Sequence, residues 1–192
     1  RSMSLDRKNK TKVIVFEKDN ELFHLLKKEI LKQNSLCAEN YLGNKQTVSK
    51  SYQHYSLNHG KRKKKPNLIA IVVAFQNDTI VGYQTLHNFN KEILKIDIGC
   101  VDIHRRGSLH GLINLKLTKT TRSWAKSKKY SFLILEGLPS AESSWKRQGF
   151  QRVEFLNNIV NFNKKSVSKM NNYNKSVDKC TLRDGCLMYS IL

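Results

Sequence analysis

Residues 92–128 join three patterns in one stretch of the sequence. An alternating apolar segment, Glu92–Ile103, leads directly into a short glycine-bearing loop, and the loop opens a helix predicted from Ser108 to Lys128. The alternation is imperfect, since Ile93 and Ile96 are three residues apart whereas Ile96 and Ile98 are two apart. A strand that runs straight into a helix N-terminus exposes free backbone N–H groups at the turn, and such groups bind phosphate.

A second informative stretch is Ala141–Phe150. The pattern predicts a short helix from Pro139 to Gln148 that ends at Gly149, followed by a strand over Gln151–Phe155. The near-continuous apolar run Tyr130–Leu135 precedes it, which is typical of a strand buried on both faces.

The remaining periodic segments complete an α+β pattern. A helix is predicted over residues 20–33, and the other predicted strands are Lys12–Phe16, Leu68–Phe75, Thr79–His87 and Cys186–Leu192. Two polar segments, 34–66 and 157–180, show no sustained period and are predicted to be loops, the first with a short helix around Ala38–Leu42. This order predicts a single domain, residues 3–192, with a central mixed, mostly antiparallel sheet flanked by helices.

The charge is strongly positive: 35 Lys and Arg against 15 Asp and Glu give a net charge of +20. Such an excess attracts polyanions. A general bias towards Lys and Asn at the solvated surface would give the same composition, and both interpretations stay open. The longest apolar run, Leu68–Phe75, is far shorter than the roughly 20 residues needed to cross a bilayer, so we expect no membrane span.

The four cysteines, Cys37, Cys100, Cys180 and Cys186, have no paired spacing. This pattern favours neither a metal site nor a disulfide framework. We therefore expect Cys100 to be a buried free thiol in a reducing, intracellular protein.

The two informative stretches resemble motifs of the GNAT superfamily of acetyl-CoA-dependent N-acetyltransferases. The first motif of that family is Arg/Gln-x-x-Gly-x-Gly/Ala after an upstream Val, and here Val101, Arg106 and Gly111 match it. Leu109 replaces the middle glycine, and Ile103 replaces a proline that often follows the Val. The second motif, Ala-x-x-x-Tyr-x-Lys-x-Gly-Phe, appears as Ala141, Trp145, Arg147, Gly149 and Phe150.

This resemblance implies that acetyl-CoA is the cofactor. The residues that it assigns to cofactor binding are Val101, Ile103, Arg106, Gly107, Ser108, Leu109, His110, Gly111 and Trp145.

The resemblance also directs attention to the catalytic groups. Lys95 occupies the strand position where many family members have a Glu base, so the nearest carboxylates, Asp97 and Glu136, are the candidate bases. Trp145 replaces the tyrosine that often serves as the acid, and its indole cannot protonate a thiolate. Tyr130 or Tyr189 could replace it, the thiolate could leave unaided, or the activity could be lost.

Three functions follow as hypotheses. The first is acetylation of an amine, a protein lysine or N-terminal amine, in a chromatin or nucleic-acid context. The second is a catalytically decayed module that binds nucleic acid or a protein partner, and the third is acetylation of an aminoacyl-tRNA or small amine. The basic run Lys61–Lys65 is the candidate contact to nucleic acid or an acidic assembly, and it resembles a nuclear localisation signal.

Overall fold

The computed structural model describes residues 10–37, 48–58, 67–105, 108–138, 141–153, 168 and 186–192. The strands are β1 (Lys12–Glu17), β2 (Asn67–Gln76), β3 (Thr79–Asn88), β4 (Ile93–Val101), β5 (Phe132–Gly137), β6 (Gln151–Arg152) and β7 (Cys186–Ile191). The helices are α1 (Phe23–Lys32), α2 (Lys50–Asn58), α3 (Ser108–Ser127) and α4 (Glu142–Arg147), with a 3-10 turn at Ile103–Arg105.

Within the described residues, these strands form one sheet in the order β1-β2-β3-β4-β5-β7-β6. Neighbouring strands are antiparallel except β4 and β5, which are parallel. The predicted α+β fold with a mixed, mostly antiparallel sheet is therefore confirmed.

The β2–β3 hairpin shows how local sequence sets the register. Asn77 and Asp78 both have positive φ, 47° and 60°, and they form the two-residue connection between Gln76 and Thr79. Two consecutive residues with positive φ are what a type I′ hairpin turn requires, and Asn and Asp tolerate this conformation best among non-glycine residues.

Helices cover the two faces of the sheet. Ile113 and Leu117 of α3 and Trp145 of α4 belong to one core cluster, whereas Phe23 of α1 and Leu57 of α2 belong to another. Among the described helices, none is long and apolar enough to cross a membrane.

Helix α2 corrects the prediction of a loop over residues 34–66. Its buried positions include the polar residues Gln53 and Ser56, so the segment lacks the apolar periodicity by which helices are predicted. The short helix expected around Ala38–Leu42 and almost all of the loop expected at 157–180 lie outside the described residues.

The expectation of a free thiol at Cys100 is wrong. Cys100 forms a disulfide with Cys37, with 4.9 Å between the Cα atoms, and Cys186 is disulfide-bonded as well. The reducing compartment inferred from the cysteine pattern loses that support, because disulfides are typical of oxidising environments.

Candidate active site

The parallel strands β4 and β5 separate towards their carboxyl ends. Their ladder covers Ile93–Ile96 and Phe132–Leu135, and beyond it β4 continues through Asp97–Val101 while β5 continues through Glu136–Gly137. We call the gap between these two continuations the split.

A β-bulge lies where the split begins. On β3, Leu86 is paired with Ile96 and Thr85 with Ile98, so Asp97 is an extra residue in β4. A bulge bends its strand and increases the local twist. This bend accounts for the departure of β4 from β5 immediately after Ile96.

Helix α3 begins at the same end of the sheet as the split. Ser108–Gly111 form its first turn, whose backbone N–H groups have no partners within the helix. The loop residues Arg106 and Gly107 lie outside the described residues, and their predicted contacts with a phosphate stay predictions.

The end of β4 leads into this loop with its side chains buried. Val101 is paired with Gly82, and the Ile103 N–H donates to the Ser35 carbonyl over 3.0 Å. Because both side chains belong to the interior, the backbone of this segment is what it can offer to a ligand.

On the α3 side of the sheet, the Trp145 indole lies across the split. A Cβ added at Gly137 would lie 3.1 Å from Trp145 Cδ1, and one added at Gly99 would lie 3.6 Å from Trp145 Cη2. The indole therefore spans from β5 to β4, and Trp145 is only 8% exposed.

On the opposite side, the structure brings both candidate bases together through a lysine. Lys95 Nζ lies 2.9 Å from Asp97 Oδ1 and 2.8 Å from Glu136 Oε1. The side chains of Lys95 and Asp97 are 7% and 9% exposed, whereas that of Glu136 is 30% exposed. Sequence reasoning placed a carboxylate on each strand, and the lysine between them is what the structure adds.

Helix α2 supplies a residue that the sequence did not predict. The Tyr52 hydroxyl donates to Asp97 Oδ1 over 3.1 Å, and His87 Nε2 lies 3.9 Å from Asp97 Oδ2. We call five of these residues the polar cluster: Lys95, Asp97, Glu136, His87 and Tyr52. The split is thus bounded by the indole on one face and by the polar cluster on the other.

The environment of the polar cluster keeps Asp97 ionised. Burial alone would raise the pKa of Asp97, but the charges of Lys95 and His87 and hydrogen bonds from Ser56 and Lys95 hold it below its ordinary value. The pKa of the Tyr52 hydroxyl is raised, first by burial and then by the negative charge of Asp97. Tyr52 is therefore a neutral donor at physiological pH.

The two tyrosines suggested as replacement acids lie elsewhere. The Tyr130 ring lies beside that of Trp124, tilted by 31° with 6.5 Å between ring centroids. Tyr130 comes just before β5 and thus lies at the strand end away from Glu136. The Tyr189 hydroxyl donates to Gln151 Oε1 over 3.3 Å. Burial raises the pKa of both hydroxyls.

Comparison with known proteins identifies the architecture. No protein-family model and no curated protein matches this sequence. Among solved structures, Tetrahymena GCN5 superposes with a TM-score of 0.62 at 13% identity, covering 94% of this chain and 95% of that chain. A GNAT-family acetyltransferase from Staphylococcus aureus superposes with a TM-score of 0.58 at 16% identity, covering 94% and 99%.

An acetyltransferase from Streptococcus agalactiae has a TM-score of 0.55 at 17% identity and covers 94% of this chain and 98% of its own. At such low identity the likeness shows the fold and not the reaction. The resemblance predicted from the two motifs is nevertheless confirmed at this level: the chain has the fold of the GNAT acetyltransferases.

Proposed function

We propose that this protein is an N-acetyltransferase that uses acetyl-CoA and acetylates an amine that enters from the α2 side of the split. The observation that supports this most directly is the arrangement around the split, with an apolar wall on one face and two carboxylates on the other. An acyl transfer to an amine needs both a channel for the donor and a negatively charged entrance for the ammonium.

The residues present fit acetyl-CoA. Along Asp97–Val101, one edge of β4 is not paired with β5, and this edge can form hydrogen bonds with the amides of an extended ligand. The first turn of α3 can donate hydrogen bonds to the phosphates of that ligand. Gly99, in the middle of this edge, is exposed and has no side chain of its own to cover the backbone. When bound, acetyl-CoA supplies the activated acetyl group that the amine attacks.

The two carboxylates of the polar cluster have different roles towards the acceptor amine. Because the pKa of Asp97 is held low, this residue is a poor proton acceptor, and its contribution is to attract and orient the ammonium. Glu136 shares Lys95 with Asp97, but it is the more exposed carboxylate and lies at the end of β5, so it takes the proton and passes it to water. Tyr52 donates to Asp97 and fixes the orientation of that carboxylate.

The acceptor that we propose is a protein lysine or N-terminal amine near nucleic acid, in an intracellular, nuclear setting that rests on the basic composition and not on the cysteines, of which Cys37 and Cys100 form a disulfide. Two features support this association: the net charge of +20 and the absence of Asp and Glu from the described helix α3, which carries four Lys and Arg residues. The basic run Lys61–Lys65 remains part of this proposal and lies outside the described residues.

Two departures favour the decayed module as a second candidate. Leu109 replaces the middle glycine of the family's first motif, and Trp145 lies at the position of its acid. An aminoacyl-tRNA or small amine stays the alternative acceptor, and it is tested in the same experiment as the first candidate.

The test combines binding with turnover. Thermal unfolding is followed with and without millimolar acetyl-CoA in the wild type, in Arg106→Glu, and in Lys116→Glu, which makes the same charge change on the outer face of α3. A ligand that binds only the native state raises the melting temperature, so a rise is expected in the wild type and Lys116→Glu and not in Arg106→Glu.

Acetylation is then measured as release of free thiol with a lysine peptide, a peptide with a free N-terminus, a polyamine and an aminoacyl-tRNA. Asp97→Asn and Glu136→Gln should each slow the reaction by about 10²-fold or more. If the wild type neither binds acetyl-CoA nor acetylates any of the four acceptors, the proposed enzymatic function is refuted and the decayed binding module is the remaining candidate.

A further inference from the structure

The position of Trp145 bears on which acyl group the split admits. The Cδ1 edge of its indole faces Gly137 on β5, and the Cη2 end faces Gly99 on β4. Any side chain at Gly137 would press on this ring, since an added Cβ would be 3.1 Å from it. The two glycines, one on each strand, thus provide the space in which the indole crosses the split.

The indole is held in place from behind. It packs edge-to-face on Phe150, with 5.5 Å between ring centroids, and the Phe150 N–H donates to the Trp145 carbonyl over 3.1 Å. Arg122 lies over the Phe150 ring at 5.0 Å and donates to Ser190 Oγ and the Gln148 carbonyl. Because Phe150 supports the indole and Arg122 supports Phe150, the indole cannot swing away without disrupting the core.

The other side of the split is equally firm. Lys95 is held by two ion pairs, and Asp97 is held in addition by the hydroxyl of Tyr52. Moving these groups apart would separate buried charges, which is costly. The space between the indole and the polar cluster is therefore bounded by two side-chain walls that are each held rigidly in place.

We propose that Trp145 limits the acyl donor to short chains, so that acetyl-CoA is accepted and longer acyl-CoA thioesters are rejected. This inference rests on the proposed function, because it assumes that the thioester lies in the split. The discrimination between acyl chains is steric. Each additional methylene must displace the Trp145 ring or remain outside the split. A single methylene that fails to fit an apolar pocket costs about tenfold or more.

The experiment compares the binding of acetyl-, butyryl- and octanoyl-CoA, independently of turnover. The chain has two tryptophans, Trp124 and Trp145, so the intrinsic fluorescence of Trp124→Phe reports on Trp145 alone. In this variant, acetyl-CoA should quench the fluorescence, and butyryl-CoA should require at least about tenfold higher concentration.

Calorimetric titration of Trp145→Ala should bring the three dissociation constants to within about threefold of one another. Trp124→Ala is the matched control, since its indole packs near Tyr130 and donates to Glu17 at the far end of α3, and it should keep the wild-type preference. If Trp145→Ala does not fold, Trp145→Leu replaces it, because leucine fills part of the space and still opens the split.

The outcomes separate this inference from the proposed function. Loss of chain-length preference in the Trp145 variant and its retention in the Trp124 variant support the inference. A wild type that acetylates an amine but binds all three thioesters equally, or a Trp145 variant that keeps the preference, overturns the inference alone. A wild type that binds no thioester and acetylates no amine overturns both.

Discussion

Replacing Lys95 with methionine removes the cation that joins Asp97 to Glu136. Methionine keeps the unbranched aliphatic stem, so the packing changes little and the effect is mainly electrostatic. Removing one partner of a buried ion pair typically costs 3–5 kcal/mol. Glu136 is 30% exposed and Asp97 keeps its hydrogen bond from Tyr52, so we expect the lower end, a loss of about 3 kcal/mol at pH 7.

The stability penalty of Lys95→Met should also change with pH in a definite direction. In the wild type the folded-state pKa of Asp97 is lowered, so its contribution to stability is present above the unfolded pKa and is lost as the pH falls through the folded pKa. Without Lys95, one of the effects that oppose burial is lost, so the folded pKa of Asp97 is higher than in the wild type. The stabilising contribution of the Asp97 carboxylate is then lost at a higher pH, so the penalty of Lys95→Met should be larger at pH 8 than at pH 5.

Urea denaturation at pH 5, 7 and 8 measures this penalty. The matched control is Lys32→Met, which breaks an ion pair of similar length, 2.7 Å to Glu29, but between exposed side chains, and it should cost less than about 1 kcal/mol. In the Lys95→Met background, Asp97→Asn should recover part of the lost stability, because it removes the uncompensated charge. A Lys95→Met penalty below about 1 kcal/mol, or one that shrinks as the pH rises, would refute the reasoning.

Three further predictions concern stability. Cys37→Ala with Cys100→Ala should lower the free energy of unfolding by about 4 kcal/mol relative to the oxidised wild type, because the disulfide closes a loop of 63 residues; equal urea midpoints would contradict this. Ser49→Ala should cost about 1 kcal/mol, since Ser49 Oγ accepts the Tyr52 N–H at the start of α2, and Ser49→Gly should cost less. Gly82→Ala should cost about 1–3 kcal/mol, because its Cβ would lie 3.0 Å from the Cys100 carbonyl oxygen; Gly99→Ala, with 3.6 Å to its nearest neighbour, should have the smaller melting-temperature change.

Elements with a strong hydrophobic period were predictable from the sequence. Helix α3 was predicted over Ser108–Lys128 and is found over Ser108–Ser127. The strands predicted over Leu68–Phe75 and Thr79–His87 are found over Asn67–Gln76 and Thr79–Asn88. The bulge at Asp97 was not predicted, because Ile96 and Ile98 keep the two-residue spacing of a regular strand. In the structure they belong to different core clusters, since Asp97 is the extra residue between them.

What the sequence did not predict depends on polar burial and distant contacts. Helix α2 buries Gln53 and Ser56, which hydrogen-bond to Tyr83 and Thr85, so its inner face has no apolar signature. Tyr52 was missed together with that helix, although Ser49 was available as an N-cap signal. The disulfide joins positions 63 residues apart, and no local pattern reports such a distance.

The short parallel ladder between β4 and β5 divides the sheet mechanically. Strands β1–β4 on one side and β5, β7 and β6 on the other are each joined by antiparallel ladders. Among the described residues, the two halves are joined by the ladder of Ile93–Ile96 with Phe132–Leu135 and by the N–H groups of Ser131 and Phe132, which donate to the Glu92 carbonyl. Parallel pairing is also slightly weaker per residue. Relative rotation of the two halves about this seam is therefore the deformation that costs the sheet the fewest hydrogen bonds, and side chains oppose it, because the Lys95–Glu136 ion pair and the Trp145 indole both span the split. Amide hydrogens along the seam should exchange before those of β2 and β3, and a molecule lodged in the split would slow that exchange by tying the halves together.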